Sequence, residues 1–327
     1  MRLKLLDVLA CPTCKDDLAC EAERSEGDAV IEGRLTCRGC AAVYPIEDAI
    51  PRFVPRENYA DSFGYQWNLF RTEQIDQTNG TELSARRLWS ETDWTPQQLA
   101  GRWVLDVGCG AGRFLEAAAK SGAELIGLDI SSAIDAAAKT MAAAPNVHLV
   151  QASALEPPFK HESLDFVYCI GVIQHTPDPQ GVMRAIPPLL KAGGEAAVTV
   201  YERKPWTRLN GKYLVRPLTR RMKKEHLLAA IRGVMPVVFP LTDLAFRIPG
   251  LGRAFEFVIP VANYVRETAL TRRQRYDWAV LDTFDMLSPY YDRPQTQGEI
   301  ERALGEGGLA DLRRLPNPGA NVVGRKP

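Results

Sequence analysis

The stretch WVLDVGCGAGRFLEAAAKSGAELIGLDIS, Trp103 to Ser131, decides the fold. Trp103-Val104-Leu105-Asp106-Val107 is a short apolar block of strand length, and Gly108-Cys109-Gly110-Ala111-Gly112 follows at once. An alanine-rich helical stretch runs from Arg113 to Lys120, and a second apolar strand, Leu125 to Leu128, ends on Asp129. Strand, glycine turn, helix and strand closed by an acid make a βαβ unit of the kind that binds a nucleoside cofactor. A tight turn into a helix takes backbone angles that a side chain forbids, and a ligand must approach bare backbone there. The helix start offers unpaired N–H groups. Asp129 follows the first glycine by about twenty residues, the spacing at which an acid accepts ribose hydroxyls.

A dinucleotide fingerprint, G-x-G-x-x-G/A, fails at its sixth position, which is Arg113. Asp106 also stands just inside the turn, where a pyrophosphate would meet its negative charge. S-adenosylmethionine has no phosphate and carries an ammonium and a sulfonium, so an acid is favourable there. The expected cofactor is therefore S-adenosylmethionine, held by Asp106, Gly108, Gly110, Gly112 and Asp129.

VLDVGCGAGRF followed by GLDIS, then SLDFVYCIGVIQHTPDP and LLKAGGEAAVTVY, resembles the class I S-adenosylmethionine-dependent methyltransferases over most of residues 101–201 and the tail. The resemblance implies an α/β fold with a Rossmann-like sheet of strand order 3-2-1-4-5-7-6. It also implies Ile130, Ser153, Ala154 and Ile170 beside the cofactor. After the third strand, Val147 to Gln151, that family has Gln-Ala-Asp, whereas this chain reads Gln151-Ala152-Ser153. A serine accepts a hydrogen bond without charge, and charge-assisted bonds are about twice as strong as neutral ones. A weaker adenine contact is expected.

The 327 residues carry a formal net charge of zero, so no global field draws in nucleic acid or an anionic membrane. Four of the seven cysteines form two C-x-x-C pairs, a pattern that suits a metal and a reducing, cytoplasmic compartment better than a disulfide framework. Val8-Leu9-Ala10-Cys11 faintly resembles a lipoprotein box, but Lys4 and Asp7 interrupt any apolar leader, so secretion is not expected. Residues 1–56 read as a small module around Cys11, Cys14, Cys37 and Cys40. Thiolates two residues apart in a tight turn face one ion, and two such turns close a tetrahedron around structural Zn²⁺. So small a module needs the metal to fold. Its run from Leu35 to Pro51, with Tyr44-Pro45-Ile46 and Asp48-Ala49-Ile50-Pro51, is similar to the zinc-ribbon family related to the activator subunit of tRNA and release-factor methyltransferases; Ala49 replaces a usual glycine. Such a ribbon is expected to cover the active site or hold a protein partner.

Residues 57–100 form a connector with an aromatic run, Phe63 to Phe70; it resembles segments that precede the cofactor domain in ribbon-fused methyltransferases, and the resemblance implies that Gln66, Trp67 and Arg71 face the methionine end of the cofactor, with packing onto the sheet as the alternative. Helices are expected over Leu83–Trp89 and Gln180–Leu190, the latter kinked at Pro187-Pro188. Residues 101–201 and 285–327 are assigned to the cofactor domain, and 202–284 to a helical cap inserted after the fifth strand. The cap begins with a basic run, Arg203 to Lys224, and continues apolar, broken by Pro236, Pro240, Pro249 and Pro260. It reads as a lid with a solvated basic face, a pocket for an anionic substrate group, or a surface for a membrane or lipid-like substrate. The stretch from Tyr276 to Tyr291 is aromatic, acidic and turn-like; it resembles a stretch before the last helix of related methyltransferases, which implies a place at the substrate opening.

Methyl transfer is an in-line displacement that needs alignment and, for a protonated acceptor, a base. His175, in the loop after the fourth strand, is the leading candidate for the base, its ordinary pKa of about 6.5 suiting the task; lining the pocket, or shaping the turn through backbone hydrogen bonds, are the alternatives. Gln174, Tyr201, Asp285, Tyr290 and Tyr291 are expected on the acceptor side. These readings describe an S-adenosylmethionine-dependent methyltransferase of a small or medium metabolite, in secondary metabolism or cofactor biosynthesis. Two alternatives stand: an RNA methyltransferase, disfavoured because acids slightly outnumber bases in residues 1–56, and a non-catalytic cofactor-binding scaffold acting through its ribbon.

Overall fold

The computed structural model describes residues 1–327. At the N-terminus β1 (Leu18–Glu26) and β2 (Ala29–Cys37) form an antiparallel hairpin; β3 (Val43–Glu47) and β4 (Ile50–Pro51) complete a four-stranded sheet. Most of β1 is exposed, so the ribbon has little core of its own. Its Leu5, Leu9, Leu35 and Ile46 instead share one apolar cluster with Leu105, Val150 and Phe159 of the main body.

That docking is completed by backbone pairing. Arg52, just after β4, bridges in parallel to Gln151, and the Phe53 N–H donates to the Gln151 carbonyl at 2.8 Å. The Arg52 side chain is buried. Its Nη1 donates to Gln151 Oε1 (2.7 Å), its Nη2 to Asp135 Oδ1 (2.8 Å), and its Nε lies 3.2 Å from Glu47 Oε2. The ribbon thus lays a strand against an edge that would otherwise present unpaired groups.

The connector holds α1 (Asp61–Leu69), α2 (Asp76–Asn79), α3 (Leu83–Thr92) and α4 (Pro96–Leu99). The main sheet follows: β5 (Trp103–Val107), α5 (Arg113–Ala118), β6 (Glu124–Asp129), α6 (Ala133–Thr140), β7 (Val147–Gln151), β8 (Leu164–Ile170), α7 (Pro179–Ala185) and β9 (Leu190–Val200). After the cap, β10 (Ala310–Arg314) and β11 (Ala320–Arg325) return to it. Strands β5 to β9 are parallel, and β11 runs antiparallel to both β9 and β10. The order β10-β11-β9-β8-β5-β6-β7 is the expected 3-2-1-4-5-7-6 read from the other edge. The near-continuous apolar strands fit a sheet covered on both faces.

The cap contains α8 (Lys212–Thr219), α9 (Lys224–Ala245), α10 (Gly252–Val258) and α11 (Arg272–Leu287); α12 (Gln297–Glu306) precedes β10. Three local expectations are corrected. The helix expected to reach Leu190 stops at Ala185, because Pro187-Pro188 removes two consecutive backbone donors. Pro236 and Pro240 do not break α9: both lie on its exposed face, while Leu227, Ile231, Met235 and Phe239 hold the opposite face against α11. The turn-like reading of Tyr276–Leu287 fails, since those residues belong to α11. A Thr271–Gln274 capping box starts that helix and buried Trp278, Leu281 and Phe284 anchor it. It also runs unbroken across the boundary drawn between 284 and 285.

Replacing Arg52 with alanine leaves Gln151 Oε1 without its donor in a buried place. Arg52→Ala is expected to lower the unfolding free energy by about 2–3 kcal/mol in denaturant titration, while Arg56→Ala, at an exposed ion pair, shifts it by at most about 1 kcal/mol.

Candidate functional site

The cradle forms where β5 and β6 end. Gly108 and Gly110 take positive φ of 80° and 54°, angles that only glycine adopts freely. A Cβ on Gly108 would come within 2.5 Å of the Val172 side chain. Asp129 Oδ2 accepts from the Gly110 N–H (2.9 Å), and Oδ1 accepts from the Ser131 N–H (2.8 Å) and Oγ (2.7 Å). Three of the carboxylate's four acceptor positions are thus filled and one is left for a ribose hydroxyl. Burial pushes the Asp129 carboxyl above its ordinary range, and the Ser131 and Gly110 donors pull it back.

A cavity of about 1140 Å³ opens over this cradle. Gly108, Gly110, Asp129, Ile130, Ala154 and Ile170 line it from the sheet. Tyr59, Phe63 and Trp67 line it from the connector, and a Cβ on Gly110 would lie 3.1 Å from Trp67 Nε1. Lys212, from α8, and Asp282 and Asp285, from α11, line it from the cap. No ribbon residue reaches the cavity, so the expected covering of the site comes from the connector and cap instead.

Eight residues singled out in the sequence, Arg71 among them, stand outside the lining. Asp106 is buried on β5 behind the turn, with Oδ2 unpartnered; burial pushes its carboxyl well up. Gly112 faces Met141 and Ala137. Ser153 Oγ accepts from the Leu155 N–H, a local turn bond. Gln66 is buried and donates from Nε2 to Asp285 Oδ1 at 3.1 Å. Gln174 donates to the Gly171 carbonyl, Tyr290 is exposed, and Tyr291 stacks edge-on against Tyr59 at 5.5 Å.

His175 and Tyr201 line the cavity with ring centroids 5.5 Å apart. His175 Nδ1 lies 3.0 Å from the Tyr291 carbonyl. A carbonyl only accepts, so Nδ1 carries the proton and Nε2, which has no partner, keeps a free lone pair. Burial lowers the His175 pKa, against the raising fields of Asp285 and Asp292, so the ring is neutral at pH 7. Burial also raises the Tyr201 phenol far above its ordinary value.

Arg113 and Tyr59 were not expected as site residues from the sequence, and Asp282 only as part of the stretch at the substrate opening. Burial first, then the charge of Asp285, raises the Asp282 carboxyl to about 7. Arg113 donates to Ser84 Oγ (2.9 Å) and Gln74 Oε1 (2.7 Å), and Gln74 Nε2 donates to Asp282 Oδ1 (3.3 Å). Charges of both signs therefore reach the cavity, which fits an amino-acid end bearing ammonium and carboxylate. With the acceptor position left on Asp129, the donor set suits S-adenosylmethionine. In the ribbon, the four Sγ atoms of Cys11, Cys14, Cys37 and Cys40 lie within 4.8 Å of one another. Cys11–Cys40 and Cys14–Cys37 are 3.7 and 3.3 Å apart. Zinc–sulfur bonds of about 2.3 Å give tetrahedral edges near 3.8 Å, so the set fits Zn²⁺.

Comparison with known proteins agrees with both parts. Residues 105–198 match the family described as methyltransferase domain, and residues 2–48 match that described as Trm112p-like protein. The ubiquinone biosynthesis O-methyltransferase of Citrobacter koseri is 39% identical over 113 residues, 33% of this chain and 47% of that protein. That of Pseudomonas entomophila is 35% identical over 132 residues, 37% of this chain and 56% of that protein. The chain spans about half the length of the curated relatives it matches. A solved complex of the Haloferax volcanii Trm112 methyltransferase activator covers 82% of this chain and 98% of the other, at 14% identity and a TM-score of 0.46.

The Asp282 shift has a thermodynamic sign. The folded carboxyl keeps its proton to about 7, whereas the unfolded chain releases it near 3.8. Stability is full below the unfolded value and is lost as pH rises through the folded one. Asp282→Asn removes that loss, so its thermal midpoint is expected to rise above the parent's, by a margin that grows from mildly acidic to mildly alkaline buffer.

Proposed function

Residues 105–198 being a methyltransferase domain and residues 2–48 a Trm112p-like one, we propose that the protein methylates a hydroxyl oxygen on a small or medium metabolite. The observation that carries the reading is the neutral His175, its Nε2 lone pair unpartnered, in the cavity that also holds the Asp129 cradle. The relatives are named O-methyltransferases of ubiquinone biosynthesis, which supports an oxygen acceptor in cofactor biosynthesis. The cavity, at about 1140 Å³, slightly exceeds the usual size of small-ligand sites, so it has room for cofactor and acceptor together. A cytoplasmic location belongs to this reading, because four metal-binding thiolates survive best in a reducing compartment.

Asp129 takes a ribose hydroxyl, and the bare backbone of Gly108 and Gly110 lets the nucleoside approach. Trp67 lies over the turn, and Gln66 holds Asp285 toward the charged end. When bound, S-adenosylmethionine supplies an electrophilic methyl group on a good leaving group. His175 Nε2 accepts the acceptor's hydroxyl proton, while its Nδ1–H bond to the Tyr291 carbonyl fixes the tautomer. Holding the acceptor in line contributes roughly 7–11 kcal/mol, and the base about a hundredfold or more.

Asp129→Ala should weaken S-adenosylmethionine binding by more than about tenfold in calorimetry, since a hydrogen bond to a charged group is worth about 1.5–3 kcal/mol. Unchanged affinity would falsify the cofactor pose. His175→Ala, assayed against a panel of phenols and catechols, should lower kcat by about a hundredfold with KM little changed. The parent's activity should rise with pH through a midpoint below 6.5, because only the neutral ring accepts a proton. Transfer to total RNA in place of every small acceptor would establish the RNA alternative.

A further inference from the structure

The cap carries charge and apolar surface that methyl transfer does not use. Twelve Lys and Arg against two acids lie between Arg203 and Arg253, in a chain of zero net charge. Some of these cations are matched internally: Arg203 by Glu299, Lys204 by Glu202, Lys212 and Arg216 by the buried Asp292. Arg208, Arg220, Arg221, Lys223, Arg232 and Arg253 have no acidic partner. Of the two acids, Asp243 is already paired with Arg275 and Arg247.

The same region exposes leucines. One face of α9 is buried against α11; the other presents Val234, Val237, Leu241 and Leu244, and the turn beyond adds Ile248 and Leu251. Leu214 and Leu218, one turn apart on α8, are 77% and 70% exposed. α8 and α9 both pack on α11, and backbone bonds tie the ends: the Gly211 N–H before α8 donates to the Phe257 carbonyl of α10 (3.0 Å), and the Gly252 N–H of α10 donates to the Ile248 carbonyl in the turn after α9 (2.8 Å). By length and composition α9 could cross a bilayer, with 33% of its apolar window buried in the protein. Its packed face holds it against the body instead. An apolar helix face flanked by cations, lying flat, is the arrangement that binds the interface of a bilayer.

We propose that the α8–α9–α10 face docks the protein on the surface of an anionic phospholipid bilayer. Leu241 and Leu244 enter the headgroup–acyl boundary, and Arg220, Arg221, Lys223 and Arg253 meet the headgroups. Charge decides against a second copy of this chain: two such faces would bring like charges together. It also separates lipid from RNA, which would engage the cations and leave the leucines in water. The proposal stands independently of the methyl-transfer reading.

The test is flotation of the full chain with vesicles of phosphatidylcholine and phosphatidylglycerol in equal parts, and with phosphatidylcholine alone. The protein should float with the mixed vesicles at low salt, much less at high salt, and hardly at all with phosphatidylcholine alone. The double variant L241D/L244D should bind the mixed vesicles roughly tenfold less or worse. Both positions are exposed, and an unchanged thermal midpoint and S-adenosylmethionine affinity will show that the variant is folded. R220E/R221E should lose both binding and its salt dependence. The proposal is overturned by failure to float with mixed vesicles, or by flotation that survives L241D/L244D. It is equally overturned by a concentration-dependent dimer that L241D/L244D dissociates, or by tRNA binding without flotation.

Discussion

The Asp129 carboxylate holds together two backbone segments that the sheet alone leaves free. It accepts from Gly110 in the turn after β5 and from Ser131 just past β6, while the Gly108 and Cys109 N–H groups both donate to the Leu128 carbonyl. The parallel register of β5 on β6, Val107 opposite Leu128, brings these groups within reach. A buried carboxylate needs such donors to stay charged, and the turn needs the acceptor to keep its N–H groups paired. Each thus satisfies the other's requirement, and the cradle is shaped before any ligand arrives. That rigidity spares part of the ordering cost that binding otherwise carries.

The charged part of the cavity lining works differently. Asp282, Asp285, Arg113 and Arg87 all line it, and beside burial the charges of Asp285, Arg113 and Arg87 act on the Asp282 carboxyl. Burial lowers Arg113 only to about 10, so it remains a cation at neutral pH, whereas Asp282 sits near its midpoint. A charged ligand entering there changes the field on Asp282 and hence its proton occupancy. Binding of a cation beside it releases a proton; binding of an anion takes one up.

Local patterns carried the sequence reading well where the physics is local. Strand, glycine turn, helix and acid follow one another within thirty residues, and the paired cysteines are two apart; each constrains backbone or ligand geometry on its own. The sheet order came with the family resemblance and agrees with the observed topology. What stayed hidden depends on distant partners. Arg52 and Gln151 are ninety-nine positions apart, and nothing near Arg52 in the chain announces a buried guanidinium. Asp282 looks like one acid among several until burial and Asp285 shift it. The prolines of α9 argued for a break, and the packed stripe on the opposite face overrode them. Ser153 was read as an adenine contact, while in the structure its hydroxyl serves its own turn.

The ribbon's place on the sheet edge has a kinetic corollary. Its last strand runs straight into Arg52, which pairs with Gln151, whose amide in turn donates to the Ile130 carbonyl beside the cradle. Because the two partners share one chain, their association is first order, governed by tether length rather than by how much protein a cell contains. Dilution does not strip the ribbon away. A second copy of the ribbon in solution would have to compete against a local concentration set by the covalent chain.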